Sequence, residues 1–131
     1  MPHKPAPGSA EDWLARAEGK LLIARQHLPE GGYWEDLCYM AQQAAELAVK
    51  AVYQRMGWPF AFVHDLAHLL DGLDEKGLAI PEPVREAEKL TVYATQMRYP
   101  GVSGFASEED YRDMLAVAEA VVAWAKAHNL K

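Results

Sequence analysis

The chain has 131 residues, a usual length for one domain, and 50% of them are hydrophobic while 24% are charged. Its formal net charge of -6 at pH 7 argues against strong nonspecific binding to nucleic acid or to an anionic membrane, because both require a cationic surface. A single cysteine, Cys38, excludes an internal disulfide, and no apolar run approaches the roughly 20 residues that span a bilayer. We therefore expect a cytoplasmic protein with no membrane association.

The N-terminal segment, residues 1–8, has prolines at positions 2, 5 and 7 and little apolar surface to bury. Prolines this close together prevent a helix, so we expect a flexible arm here and one helical bundle over residues 9–131. Ser9 followed by Asp12 is typical of a helix start that resembles a capping box. The apolar residues that follow at helical spacing are Trp13, Ala17, Leu21, Ala24 and Leu28. We expect this first helix to end in the segment 29–32.

The second predicted helix, about residues 33–56, is the longest and carries a broad face of small and apolar residues. Small residues let a neighbouring helix approach closely, so we expect this helix to lie at the centre of the bundle. Gly57 suits a C-terminal cap, and Pro59 follows where a helix cannot continue.

Three further helices are predicted. The third covers about residues 64–76, and the fourth begins at the prolines 81 and 83 and ends just before Pro100. The fifth begins at Ser107, with Ser107 and Asp110 as its cap. No segment shows the strict alternation of a half-buried strand. The short connections favour antiparallel neighbours. The sequence therefore predicts an all-α fold, an up-and-down four-helix bundle with an additional short helix.

Three polar residues of the second helix, Gln42, Glu46 and Lys50, lie four residues apart and so line one side of it. By spacing alone we expect a solvated stripe with a weak Glu46–Lys50 ion pair. The alternatives are a polar binding surface and a buried polar network with Arg98 that fixes the helix register.

His64 and His68 have the i, i+4 spacing of metal ligands, and Asp65 lies between them. By analogy with His-Asp phosphohydrolases, distant helices would have to supply the remaining ligands. The candidates are His27 and either Asp110 or Asp113. The pattern favours the simpler interpretation that His64 and Asp65 cap the third helix, and we expect no metal.

Tyr93, Arg98 and Tyr99 lie near the end of the fourth predicted helix. A cation in the last turn complements the helix dipole, which is the structural interpretation. The functional one is a guanidinium that binds phosphate beside tyrosines that stack on a base.

An aromatic loop around Pro59 contains Trp58, Phe60 and Phe62. These rings have no helical periodicity that would bury them on one face. The loop is therefore either a plug over one end of the bundle or part of a contact surface.

Three motifs occur in order: Ala-Gln-Gln-Ala-Ala-Glu-Leu-Ala-Val-Lys-Ala at 41–51, His-Asp-Leu at 64–66, and Tyr-Ala-Thr-Gln-Met-Arg-Tyr-Pro-Gly at 93–101. Together they resemble the HEPN domain, a helical module named for nucleotide binding in higher eukaryotes and prokaryotes. The resemblance covers about residues 10–128. It implies a four-helix bundle with a short extra helix and a homodimer. It also implies a nucleotide ligand and a separately encoded minimal nucleotidyltransferase as partner.

The expected ligand-binding residues are those that the motifs and patterns share: Gln42, Glu46, Lys50, His64, Asp65, Tyr93, Arg98 and Tyr99. Many relatives in the family are ribonucleases with an Arg-x(4–6)-His motif. Here eight residues separate Arg55 from His64, and Arg98 has no histidine before His128.

No arginine–histidine pair fits that motif, so no catalytic residue is assigned and no cofactor is expected. We expect a binding or partner module, in a system of the toxin–antitoxin type, rather than an enzyme. The alternatives are a ribonuclease without the usual motif or a His-Asp metal-dependent phosphohydrolase.

Overall fold

Every regular element in the described residues is a helix. The computed structural model describes residues 4–98, 100–101 and 105–129, apart from the side chain of Arg98. Its α-helices are α1 Ala10–Ala24, α2 Trp34–Met56, α3 Leu66–Glu75, α4 Glu82–Arg85 and α5 Glu108–Asn129. Two 3-10 helices, Glu86–Ala94 and Gln96–Arg98, follow α4. None of the helices in these ranges is long and apolar enough to pass through a lipid bilayer. The predicted all-α class is confirmed.

Helix α2 forms the centre of the bundle, as its small residues predicted. Its alanines are fully buried: Ala41, Ala44, Ala45, Ala48 and Ala51. Helices α1 and α5, the first 3-10 helix and α3 all contact it. Because it is covered on several sides, even residues between its apolar positions are withdrawn from water.

Helices α1 and α5 both pack against α2 and run antiparallel to each other. Arg25, just after α1, pairs with Glu119 at 3.3 Å, and Glu18, earlier in α1, pairs with Lys126 at 3.0 Å. The lower number in α1 meets the higher number in α5, which is the relation expected for neighbours in an up-and-down bundle.

The predicted continuation of the first helix to Leu28 is wrong, since α1 ends at Ala24. The hydroxyl of Tyr111 on α5 donates a hydrogen bond to the carbonyl oxygen of Ala24 at 2.6 Å. A helix leaves its last carbonyls without internal partners, and this side chain satisfies one of them. A side chain from another helix therefore caps the end of α1.

The fourth predicted helix is also different from the expectation, because only one α-helical turn forms before the chain continues as 3-10 helix. Four of the buried residues along this segment are three apart, Val84, Ala87, Leu90 and Tyr93, and Ala94 is buried beside the last of them. A 3-10 helix has three residues per turn, so this spacing brings them onto one face.

Helix α3 is joined to α2 by Tyr53, whose hydroxyl donates a hydrogen bond to the carbonyl oxygen of Leu69 at 2.6 Å. A Cβ at Gly72 would overlap that hydroxyl. The missing side chain at Gly72 therefore lets the two helices lie this close.

Helix α5 begins with the predicted capping box. The hydroxyl of Ser107 accepts from the backbone N–H of Asp110 at 3.0 Å, and the Asp110 carboxylate accepts from the Ser107 N–H at 2.9 Å. Two N–H groups that a helix start leaves unpaired are thus satisfied.

The end of the predicted N-terminal arm contacts both α1 and α2. The Gly8 N–H donates to the Asp12 carboxylate at 2.9 Å, and the Gln54 amide donates to the Gly8 carbonyl at 2.8 Å. Mobility of residues 1–8 stays a prediction. Residues 1–3 of that arm, and residues 130–131 at the end of the predicted bundle, lie outside the described residues.

Candidate ligand-binding site

A polar network is centred on the carboxylate of Glu46 in α2. Lys50 Nζ donates to Oε2 at 2.8 Å, and Gln42 Nε2 donates to Oε1 at 2.7 Å. From the loop before α3, His64 Nδ1 lies 2.9 Å from the same Oε1. The i, i+4 spacing that the sequence displayed therefore becomes a connected network with a histidine from another segment.

The prediction of a solvated stripe is wrong, because Gln42 is fully buried and Glu46 and Lys50 are each 6% exposed. Phe60 and His64 of the loop 57–65 lie against this side of α2. The ring of Phe60 lies over the Lys50 ammonium, with 5.5 Å from Nζ to the ring centroid. His64 differs from these three, since its side chain is 60% exposed.

The environment of Glu46 favours its ionised form. Burial by itself would raise the pKa of this carboxyl. Hydrogen bonds from Lys50, His64 and Gln42, together with the charge of Lys50, outweigh burial and lower the pKa below its ordinary value. The network therefore contains a buried carboxylate whose charge is balanced by a buried ammonium.

Asp65 is the N-cap of α3, as predicted. Its carboxylate accepts from the backbone N–H of His68 at 3.3 Å, and both residues are exposed. His64 does not take part in this cap but turns toward Glu46. No three His, Cys, Asp or Glu side chains gather into a possible metal site in the described part of the chain.

Tyr93 lies in the core, where its side chain is hydrogen-bonded to that of Cys38. Cys38 is on α2, one turn before Gln42. Burial raises the pKa of Tyr93 to about 12 and also raises the pKa of Cys38 to about 12. Tyr93 therefore faces Cys38 in the interior rather than the exposed end of the network.

The other two predicted residues are Arg98 and Tyr99. The backbone of Arg98 ends the second 3-10 helix. Its side chain and the whole of Tyr99 lie outside the described residues. Their part in a site stays a prediction.

The two phenylalanines of the aromatic loop have different environments, one for each of the two roles that the sequence left open. Phe60 is a plug, with its ring centroid 5.4 Å from that of Trp13 and 5.6 Å from that of Tyr53. Phe62 is 93% exposed and touches Phe60 by its edge. The sequence identified this loop but gave no signal for which ring would face solvent.

A cavity of about 530 Å³ opens on the α3 side of the same loop. Charges of both signs border it, from Asp71 and Glu75 on one hand and Lys76 on the other. Asp71 is already paired with Arg85 at 2.7 Å. We take the exposed end of the Glu46 network, at His64 and Phe62, as the candidate site, because there a buried carboxylate with a shifted pKa is joined to solvent through His64.

Comparison with solved structures finds two similar chains. One is an archaeal HEPN homologue, ST0689, with 32% sequence identity and a TM-score of 0.72, covering 91% of this chain and 96% of that one. The other is TT1696 from Thermus thermophilus, with 30% identity and a TM-score of 0.73, covering 91% of this chain and 97% of that one. Comparison with functionally curated proteins finds no similar sequence.

The family model described as HEPN domain matches residues 10–128, which include the α2 network, the His-Asp-Leu segment and all of the core helices. This range also agrees with the extent of the resemblance read from the three motifs. The chain belongs to the HEPN domain family.

Proposed function

We propose that this chain is a nucleotide-associated binding module without catalytic activity of its own. It acts as a homodimer together with a separately encoded minimal nucleotidyltransferase, in a system of the toxin–antitoxin type. The membership in the HEPN family makes this class of function the first to test.

The observation that carries the proposal is the buried network on α2. Withdrawing Glu46 and Lys50 from water costs free energy that a hydrophobic pair would not cost. The network reaches solvent through His64, which is held in a fixed orientation by Glu46. A costly, ordered polar group with one exposed end favours a role in binding over a role in stability.

Exposed apolar side chains on α1 support the dimer and partner parts of the proposal. Leu22 and Ile23 are 59% and 48% exposed near the end of that helix. Large neighbouring apolar residues in contact with water are often covered in an assembly.

The partner is tested by co-expressing the chain with genes that neighbour its own and isolating the complex. A stoichiometric nucleotidyltransferase that co-purifies with it is the expected result. Light scattering on the chain alone gives its mass, and a monomer at all concentrations would contradict the homodimer.

The ligand is tested by thermal unfolding with a panel of nucleotides. A ligand at 100 times its Kd stabilises the folded chain by about 2.7 kcal/mol. We expect stabilisation by at least one nucleotide. No stabilisation by any nucleotide would remove the ligand from the proposal.

The orientation of His64 by Glu46 also favours a second candidate, a ribonuclease that uses this histidine in place of the usual motif. A general base needs an orienting partner, and the 2.9 Å contact supplies one. RNA cleavage in the presence of a metal chelator, lost in His64→Ala, would favour this candidate. An absence of cleavage by the chain alone and with its partner would remove it.

A further inference from the structure

The contact between His64 and Glu46 fixes which ring nitrogen carries the proton. A carboxylate oxygen only accepts hydrogen bonds, and Glu46 is held in its ionised form. The Nδ1 atom, 2.9 Å from Oε1, must therefore be the donor. In the neutral imidazole the other nitrogen, Nε2, then has a free lone pair and is a hydrogen-bond acceptor.

An aromatic surface lies close to this acceptor. Phe62 precedes His64 by two residues and is 93% exposed. Two residues of extended chain span at most about 7 Å between Cα atoms, and both side chains are exposed, so one planar ligand can contact both if they turn to the same side. The ring of Phe60 packs edge-on against that of Phe62, with 6.0 Å between the ring centroids.

The described charged residues near His64 and Phe62 do not favour the binding of a phosphate group. The ammonium of Lys50 is buried and bonded to Glu46. The residue that follows His64 is the exposed acid Asp65. A phosphate group at His64 would therefore meet the lone pair of Nε2, and the neighbouring residue adds a negative charge.

We infer that the His64–Phe62 end of the network binds the base of a nucleotide and not its phosphates, with the ring stacked on Phe62 and a base N–H donating to His64 Nε2. This rests on the proposed function for its ligand class and specifies which part of the ligand the site recognises. Stacking accepts any base, and each of the four bases presents an N–H group that can donate to the acceptor nitrogen.

Calorimetry with the full chain tests the inference, using the four ribonucleosides, their triphosphates and inorganic phosphate. We expect at least one nucleoside to bind within about threefold of its triphosphate, because the base supplies most of the affinity. Phosphate should not compete. Binding of triphosphates without nucleosides, or competition by phosphate, would overturn this inference and leave the proposed function standing. No binding by any nucleoside or nucleotide would remove the ligand half of the proposed function as well.

Matched variants locate the site. Phe62→Ala and His64→Ala should each weaken nucleoside binding by about tenfold, the loss expected for one stacking or hydrogen-bond contact. Phe105→Ala and His68→Ala are the controls, since Phe105 is another exposed phenylalanine and His68 another exposed histidine. Equal losses in the controls, or none in Phe62→Ala and His64→Ala, would contradict the assignment.

The variant Glu46→Gln tests whether Glu46 acts by orienting the imidazole of His64 or only by stabilising the fold. Lys50 requires the introduced amide oxygen, so the NH2 group takes the place of Oε1. There it donates to His64 Nδ1 and to Gln42, whose amide turns over to present its oxygen instead of its NH2 group. The imidazole proton then moves to Nε2, which nitrogen-15 NMR of the ring detects. We expect nucleoside binding to fall by about tenfold although both His64 and Phe62 remain. A folded Glu46→Gln variant with the reversed tautomer and unchanged binding would overturn the inference.

Discussion

At the scale of single residues, Glu46 and Lys50 are the side chains on which the stability of the α2 network depends most. Their side chains are 7% and 8% exposed, so each charge depends on the other. A buried pair of this kind adds little over a hydrophobic pair, but removing one member leaves an uncompensated charge in the interior. The pair is therefore a point of vulnerability.

We expect Glu46→Ala to lower the free energy of unfolding by about 3 kcal/mol, because Lys50 would stay buried without an acceptor. Urea unfolding followed by circular dichroism measures this. The matched control is Arg112→Ala, which breaks the exposed i, i+4 pair with Glu108 and should cost less than about 0.5 kcal/mol. Similar costs in the two variants would show that the Glu46 network is hydrated.

The pKa of Glu46 predicts a pH dependence. Hydrogen bonds from Lys50, His64 and Gln42 lower this pKa in the folded chain from its ordinary value of 4.5. A lowered folded-state pKa gives stability that is present above pH 4.5 and is lost as the pH falls through the folded value.

The difference in free energy of unfolding between the natural chain and Glu46→Gln should therefore narrow when the pH falls below 4.5. Denaturant unfolding of both proteins at a series of pH values measures this difference. A difference that is constant, or that widens on acidification, would contradict the stated direction of the pKa shift.

At the scale of elements, the contact between α2 and α3 depends on a residue that helix propensity disfavours. Gly72 lies within α3, where alanine would ordinarily be better by about 1 kcal/mol. Its Cβ, however, would overlap the hydroxyl of Tyr53, which is held by its hydrogen bond to Leu69.

Gly72→Ala should lower stability by about 1–3 kcal/mol through this overlap. Gly19→Ala in α1 is the matched control, because a Cβ there meets no atom within 4 Å, and it should raise stability by about 0.5–1 kcal/mol. Thermal and urea unfolding report both values.

Tyr53→Phe removes the hydroxyl, so Gly72→Ala should cost less in that background than in the natural chain. An equal cost in both backgrounds would show that the overlap is not its cause.

The elements also show where sequence patterns succeed. Helix α2, the capping box of α5 and the cap of α3 by Asp65 depend on local chemistry, and all three were predicted. The end of α1 and the 3-10 geometry after α4 were not. The first is capped by Tyr111 from a distant part of the chain. The second was visible as apolar residues three apart, a spacing that an α-helical interpretation overlooks.

At the scale of the whole molecule, Cys38 reports on global opening. The thiol, on α2, is fully buried against Tyr93, and burial raises its pKa to about 12. Both its inaccessibility and its protonation make it unreactive in the folded state.

A thiol reagent at pH 8 should therefore label Cys38 only as fast as the chain unfolds, with a rate that rises steeply with urea. The control is the double variant Cys38→Ala with Ala127→Cys, which places the thiol at an exposed position of α5 and should react at once. Rapid labelling of the natural chain without denaturant would show that α2 opens locally.

The sequence by itself determined the helical class, the central position of α2, the helix caps and the family, because each is written in local spacing or in motifs. It also brought Gln42, Glu46 and Lys50 onto one side of a helix. Only the tertiary structure decided that this side is buried, that His64 from the loop 57–65 completes the network, and that Phe62 rather than Phe60 faces water. The physical reason is that burial and the joining of distant segments depend on what packs over a helix. The residues next to a position in the sequence do not show which distant segment will pack over it.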